Sequence, residues 1–336
     1  MYKEIIDLIT AAKHIVVVQA ENPDGDSLGS SLALEEILSD AGKTVSLYCA
    51  IDIPKYMQYI QGWDRVVKDW PKNADMAIIV DTSSEALLIK AIKTPGVRHF
   101  FETKPTVIID HHQSEEGDLP FKTTKLIIPT AVATSEIIYS MAIEAGWSIN
   151  PQAAEAMFTS IQADSLGLTT QNTTVESYRV AAELVGLGAV PATIEGRRRE
   201  YMKKPADILA YKGRLIERVE YFLDGKLATV HIPWDEIEEF SDRYNPSVLV
   251  LDEMRLVDTV QIAVALKTYP DGKLTGKIRA NIPIGDVVAG FFGGGGHKYA
   301  SGFKIHEDYD TLMQELINAT DKALKEHESA ISQPTN

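Results

Sequence analysis

The chain carries a single cysteine, Cys49. No intramolecular disulfide can form, and the composition fits a reducing compartment, read here as the cytoplasm. No run approaches the roughly 18 apolar residues of a membrane span. Met1 to Ala12 reads as an amphipathic helix with Lys3, Glu4 and Asp7 outward; it lacks the unbroken apolar core of a signal peptide. A soluble protein with no membrane partner is expected. Positive charge is also scarce, with 33 Lys and Arg against 48 Asp and Glu and a net charge of −15. Affinity for long nucleic acids comes mainly from cations neutralising many phosphates. Long duplexes are therefore poor partners, and an anionic ligand must be small or met by a local cationic pocket. Repeats and low-complexity segments are absent too.

With 336 residues and 45% hydrophobic side chains, the chain exceeds what one core usually supports, so two domains are expected. The fold class expected is α/β: an N-terminal, mostly parallel sheet flanked by helices, then a smaller α+β domain. Strands are expected at 15–19, 44–49, 76–80, 106–109 and 125–128. Helices are expected at 27–40, ending before Gly42, and at 131–144, 152–161 and 175–187. Residues 1–189 form the first domain on this reading. The charged stretch 190–218, with Arg197, Arg198 and Arg199 in a row, is a helical connector whose arginines make an ordinary solvated face. The second domain covers 219–328, with strands at 226–232, 259–267, 274–280 and 302–305, and helices at 234–240 and 309–326. Tyr269-Pro270-Asp271-Gly272-Lys273 reads as a hairpin turn. Residues 329–336 read as a polar tail.

Asp and His residues cluster just past the C-terminal ends of the expected strands, the edge where open α/β sheets bind ligands. Asn22-Pro23-Asp24-Gly25-Asp26 follows the first strand, Asp81 the third and Asp110-His111-His112 the fourth. Asp164 closes a helix in Gln162-Ala163-Asp164-Ser165. Each alone has an ordinary explanation as a helix cap, a turn or a packed histidine. Together, carboxylates at one sheet edge repel unless cations bind between them, and a mixed Asp/His set suits Mn²⁺ or a similar ion. Two ions about 3.5–4 Å apart would clamp a phosphoryl group and lower the pKa of a bound water from about 15.7 towards 7. Phosphate-ester hydrolysis is the reaction expected.

In the second domain, Phe291-Phe292-Gly293-Gly294-Gly295-Gly296-His297-Lys298 leads into Tyr299-Ala300-Ser301-Gly302. A glycine run is often only a flexible loop. Paired aromatics and a small-residue strand bound this one, which favours a fixed loop whose N–H groups cradle an anion. Arg279, on the preceding strand, is placed to add a bidentate contact or to be an ordinary edge-strand charge.

These motifs resemble, in order and over nearly the whole chain, the DHH phosphoesterases with a DHH-associated C-terminal domain. That branch includes nanoRNases, phosphoadenosine phosphatases and cyclic-dinucleotide phosphodiesterases. The resemblance implies two divalent ions, Mn²⁺ first and Mg²⁺ or Co²⁺ as alternatives. Asp24 would bind the first ion, Asp26, His111 and Asp164 the second, with Asp81 bridging. His112 would contact the substrate phosphate and Asp110 would orient its neighbours. Arg279, Gly294, Gly295, Gly296 and His297 would recognise the nucleotide. The partner implied is a short oligonucleotide or nucleotide, and a homodimer is compatible with the resemblance. One position departs from it: the family's first motif carries a histidine four residues before its first Asp, where this chain has Ala20. Gln19 and Glu21 fall on the opposite strand face and neither is an obvious replacement. A catalytically impaired nucleotide-binding relative is therefore the alternative to an active hydrolase.

Overall fold

A computed structural model of the chain describes residues 2–112, 119–241 and 244–332. It divides into two compact units, Met1–Lys203 and Lys204–Asn336. The first runs α1 (Lys3–Ala11), β1 (His14–Val18), α2 (Gly25–Asp40), β2 (Thr44–Tyr48), β3 (Val66–Val67), β4 (Met76–Val80), α3 (Ile89–Lys93), α4 (Val97–Thr103), β5 (Thr106–Asp110), β6 (Thr124–Ile127), α5 (Thr134–Ala145), α6 (Pro151–Asp164), α7 (Val175–Gly186) and α8 (Pro191–Tyr201).

Its sheet has the order β3-β2-β1-β4-β5-β6, and every neighbouring pair is parallel. β4 and β5 are buried along their whole length. Both faces are covered, which is why these strands read as unbroken apolar runs. Ile15, Val17, Ile78, Val80, Val107 and Ile109 pack into one core with residues of α2, α5 and α6. Val16, Val18, Ala77, Ile79 and Ile108 pack on the other face with residues of α3 and α4. Strand order reverses direction between β1 and β4, and the carboxyl ends there form the crevice in which doubly wound sheets hold ligands.

α2 and α6 pack closely because two glycines face α6. A Cβ on Gly25 would lie 2.4 Å from Ala163 Cβ, and one on Gly29 would lie 2.6 Å from the Ala156 carbonyl oxygen. Only hydrogen fits at such separations. The result sets Asp26, in the first turn of α2, beside Asp164, the last residue of α6.

The second unit contains α9 (Ala206–Glu217), β7 (Glu220–Phe222), β8 (Leu227–Ile232), α10 (Trp234–Phe240), α11 (Pro246–Met254), β9 (Ile262–Thr268), β10 (Lys273–Ala280), α12 (Gly285–Phe291), β11 (Gly295–His297), β12 (Ala300–His306) and α13 (Tyr309–Ser332). Its mixed sheet has the order β11-β12-β10-β9-β8-β7, and only β8 and β9 pair in parallel. Residues of α12 and α13 cover one face; residues of α9, α10 and α11 cover the other.

The boundary between the units falls inside the stretch 190–218 expected as a connector. Ile194 of α8 is buried in the first core, whereas Ile208, Tyr211 and Leu215 of α9 are buried in the second. The arginine run is not a free basic face. Arg197 pairs with Glu155, and Arg198 and Arg199 both pair with Glu195. α13 continues to Ser332, past the expected end at 326 and into the expected tail; residues 333–336 lie outside the described residues. No helix among the described residues is long and apolar enough to cross a membrane.

Candidate metal centre

β5 ends at Asp110, and the rings of the next two residues lie side by side with centroids 4.4 Å apart. His111 is buried and His112 is mostly exposed. His111 Nδ1 lies 3.2 Å from the Ala131 carbonyl oxygen. That carbonyl can only accept, so Nδ1 carries a proton, and in the neutral ring Nε2 presents the lone pair. Nε2 is buried without a hydrogen-bond partner. Around it stand Asp26 Oδ2 at 3.6 Å, Asp81 Oδ1 at 3.6 Å and Asp164 Oδ2 at 3.5 Å. A lone pair facing three carboxylates is unfavourable unless a cation lies among them. Oxygen and nitrogen ligands about 2.1 Å from one ion are about 3.4 Å apart at tetrahedral angles, close to the spacing found. The residues therefore fit a divalent metal ion. Among the described residues, two sets of three potential ligands come together: Asp26, His111 and Asp164, and Asp81, His111 and His112.

The surrounding bonds hold these donors in place. Asp26 is almost fully buried. Its Oδ1 accepts from the Ser30 and Ser160 hydroxyls and its Oδ2 from the Thr134 backbone N–H at 2.7 Å. Thr134 Oγ1 donates to Asp81 at 3.3 Å. Asp81 has φ +62°, a left-handed conformation that Asp tolerates better than most residues but that still costs energy. Burial first, and then Asp26, Asp24 and Asp110, push its carboxyl well above the usual carboxylate range. Burial and the Asp26 charge likewise raise Asp164 to about 6. A cation bound among these acids would favour their charged forms. Burial pushes Asp110 upward, but the His112 ring and amide, both 2.9–3.0 Å away, more than offset it and leave its pKa lowered. The bond to Asp110 in turn raises His112.

Asp24 is close enough to act on Asp81 electrostatically, yet it belongs to neither ligand set. Its Oδ1 caps α2, accepting from the Asp26 and Ser27 amides in a capping box. Ala20 is buried and offers no donor. Glu21 is turned away, accepting from the Lys90 amide. Sequence reasoning missed Thr134, Ser30, Ser160 and the Ala131 carbonyl. Their only signal is hydroxyl and small residues on otherwise apolar helix faces. A cavity of about 680 Å³ lined by Trp70, Thr94, His99 and Lys104 holds none of these donors.

In the second unit, Arg279 lies on β10, an interior strand flanked by β9 and β12, so it is not an edge-strand charge. It is half-buried and donates to the Ile278 carbonyl. The glycine run is partly ordered into β11, with Gly296 at φ +135° and its absent Cβ directed within 2.7 Å of Ser301 Cα. Two N–H groups of the run are engaged within the fold. Those of Gly293 and Gly294 donate to Gly290 and Ala289, closing the end of α12. Gly295 borders open space. The side chain of His297 lies outside the described residues.

Comparison with known proteins places the first unit in a family. Residues 14–161 match the DHH family, N-terminal domain. The chain carries a DHH family domain. It is 25% identical over 316 residues to the bifunctional oligoribonuclease and PAP phosphatase NrnA of Thermus thermophilus, covering 92% of this chain and 90% of that protein. Against the protein of the same description from Bacillus subtilis it is 24% identical, covering 98% and 100%. An exopolyphosphatase-related protein from Bacteroides fragilis shares the fold across the DHH domain and the second unit, with TM-score 0.81 and 20% identity over 98% of this chain and 97% of that one.

Proposed function

We propose that this chain is a metal-dependent phosphoesterase acting on short nucleotide substrates: oligoribonucleotides, linear dinucleotides or 3′-phosphoadenosine 5′-phosphate. The observation that carries the reading is the buried, partnerless Nε2 of His111 among three carboxylates at the switch point of the sheet. The relatives described as oligoribonuclease and PAP phosphatase support the substrate class.

Two divalent ions, Mn²⁺ foremost, are assigned to the centre. Asp26, His111 and Asp164 would hold one, Asp24 would contribute to the other, and Asp81 would serve both. When bound, such ions supply Lewis acidity, polarising phosphoryl oxygens and making water a stronger acid. The chain's own groups do the rest. Thr134, Ser30 and Ser160 fix the Asp26 carboxylate, and the Ala131 carbonyl fixes the ring of His111. Asp110 holds the Nδ1 proton of His112, leaving Nε2 to face the substrate phosphate and hold a proton there. In the second unit, Arg279, Gly294, Gly295, Gly296 and His297 are assigned to nucleotide recognition. Gly294 serves through close backbone approach, since its N–H is already engaged.

Purified chain with Mn²⁺ should release mononucleotides from a labelled dinucleotide, and both chelation and Asp81→Ala should abolish this. Turnover that survives Asp81→Ala rejects the mechanism. A second reading, a nucleotide-binding relative without useful turnover, is favoured by buried Ala20 and by the commitment of Asp24 to the α2 cap. It requires nucleotide binding without hydrolysis in the native chain and hydrolysis on Ala20→His.

A further inference from the structure

Gln19 is 1% exposed, and neither its amide oxygen nor its amide nitrogen has a hydrogen-bond partner. Burying an unpaired amide is costly, and the great majority of buried polar side-chain atoms find partners. The fold gives Gln19 a defined place. Its N–H donates to the Tyr48 carbonyl at 3.0 Å, extending the β1–β2 ladder by one residue. Alternation from Ile15 and Val17 puts its side chain on the face covered by α2, α5 and α6. Those helices deliver Asp26, Thr134 and Asp164. Continuing the registers, Gln19 stands between Cys49 and Val80, both in that same core. It therefore follows β1 directly at the switch point, next to the strand that Asp81 follows.

The nearby polar groups do not supply its missing partners. The Cys49 thiol donates to the Ala20 carbonyl, and both oxygens of Asp26 already accept from other donors. An amide oxygen is a neutral, hard ligand of the kind Mg²⁺, Mn²⁺ and Ca²⁺ take readily. We propose that Gln19 is a cation-ligating residue of this centre, its amide oxygen serving on the β1 side where Ala20 supplies nothing. The assignment rests on the metal-dependent reading above and adds a ligand that sequence reasoning passed over. The competing account is a buried water bonded to the amide.

Mn²⁺ binding to the full chain, measured by titration calorimetry after chelator treatment, separates the two. Gln19→Leu keeps a side chain of comparable volume but removes the oxygen. It should weaken Mn²⁺ binding about 10–100-fold while raising the melting temperature of the metal-free chain, because an unpaired polar group is gone. Gln19→Glu should bind at least as tightly as the native chain. Native-like Mn²⁺ affinity in Gln19→Leu overturns the assignment and favours the water, leaving the phosphoesterase reading intact. A native chain that binds no Mn²⁺ overturns both. Should Gln19→Leu fail to fold, Gln19→Asn replaces it: the shorter amide withdraws the oxygen and should bind weakly, and equal affinity of the Asn and Glu variants overturns the assignment.

Discussion

Without metal, the cluster should destabilise the fold that builds it, in a window of pH that the structure defines. Asp164 has its pKa raised from 3.8 to about 6 by burial and by the Asp26 charge. Below about pH 4 it is protonated in both folded and unfolded chains and has no net effect. As pH rises, the unfolded chain ionises first, so stability falls until pH passes about 6 and then stays low. A displacement from 3.8 to about 6 corresponds to about 3 kcal/mol at about 1.36 kcal/mol per pH unit. The Asp164 side chain is 33% exposed, so solvent screening reduces this to about 1.5 kcal/mol. Asp164→Asn removes the ionisation and keeps the shape. In chelator at pH 8, the first unit of the variant should melt about 3–6 °C above the native one, using about 2–4 °C per kcal/mol for a unit of this size. At pH 4 the two should coincide. With saturating Mn²⁺ at pH 8 the order should reverse, since the variant has lost a ligand. Scanning calorimetry at both pH values tests this. A variant that melts below the native chain in chelator at pH 8 would refute the claim that uncompensated negative charge is built into the site.

Gly29→Ala should cost about 1–3 kcal/mol, because its Cβ would meet the Ala156 carbonyl at 2.6 Å; a denaturant titration should show the loss, and Mn²⁺ affinity should fall as α2 is displaced from α6. Asp110→Asn should lower the His112 pKa from its raised value, read by NMR titration of the ring, and reduce turnover about 10–100-fold. Arg279→Lys should raise KM while leaving kcat nearly unchanged, as expected when bidentate contact is lost from uniform binding.

Much of the first unit could be read from the chain because doubly covered parallel strands leave a simple signature. Runs such as Met76-Ala-Ile-Ile-Val80 and Thr106-Val-Ile-Ile-Asp110 are buried throughout, and the acidic residues begin where the apolar run stops. Strand order is another matter. Pairing β1 with β4 rather than β3 is a non-local choice with no local sequence mark, yet it places the crevice between Gln19 and Asp81. Short helices such as α3 and α12 also escaped notice, since five or seven residues hold too few turns for a periodic pattern.

Asp24 and Gln19 show why the remainder of the site required coordinates. Asp24 carried two readings, cap and ligand, and the structure realises the cap through two amide bonds to one oxygen, leaving only the other free for a cation. Gln19, one residue beyond β1, looks like the first polar residue of a loop. It is buried on the sheet face that α2, α5 and α6 cover, a packing completed by residues as far along the chain as Ala163. An unpartnered amide one residue past β1 and a partnerless imidazole nitrogen one residue past β5 lie at the same carboxyl edge of the sheet. Unpaired polar groups are costly in a core, so their joint presence at one edge argues that this edge is organised around a cation.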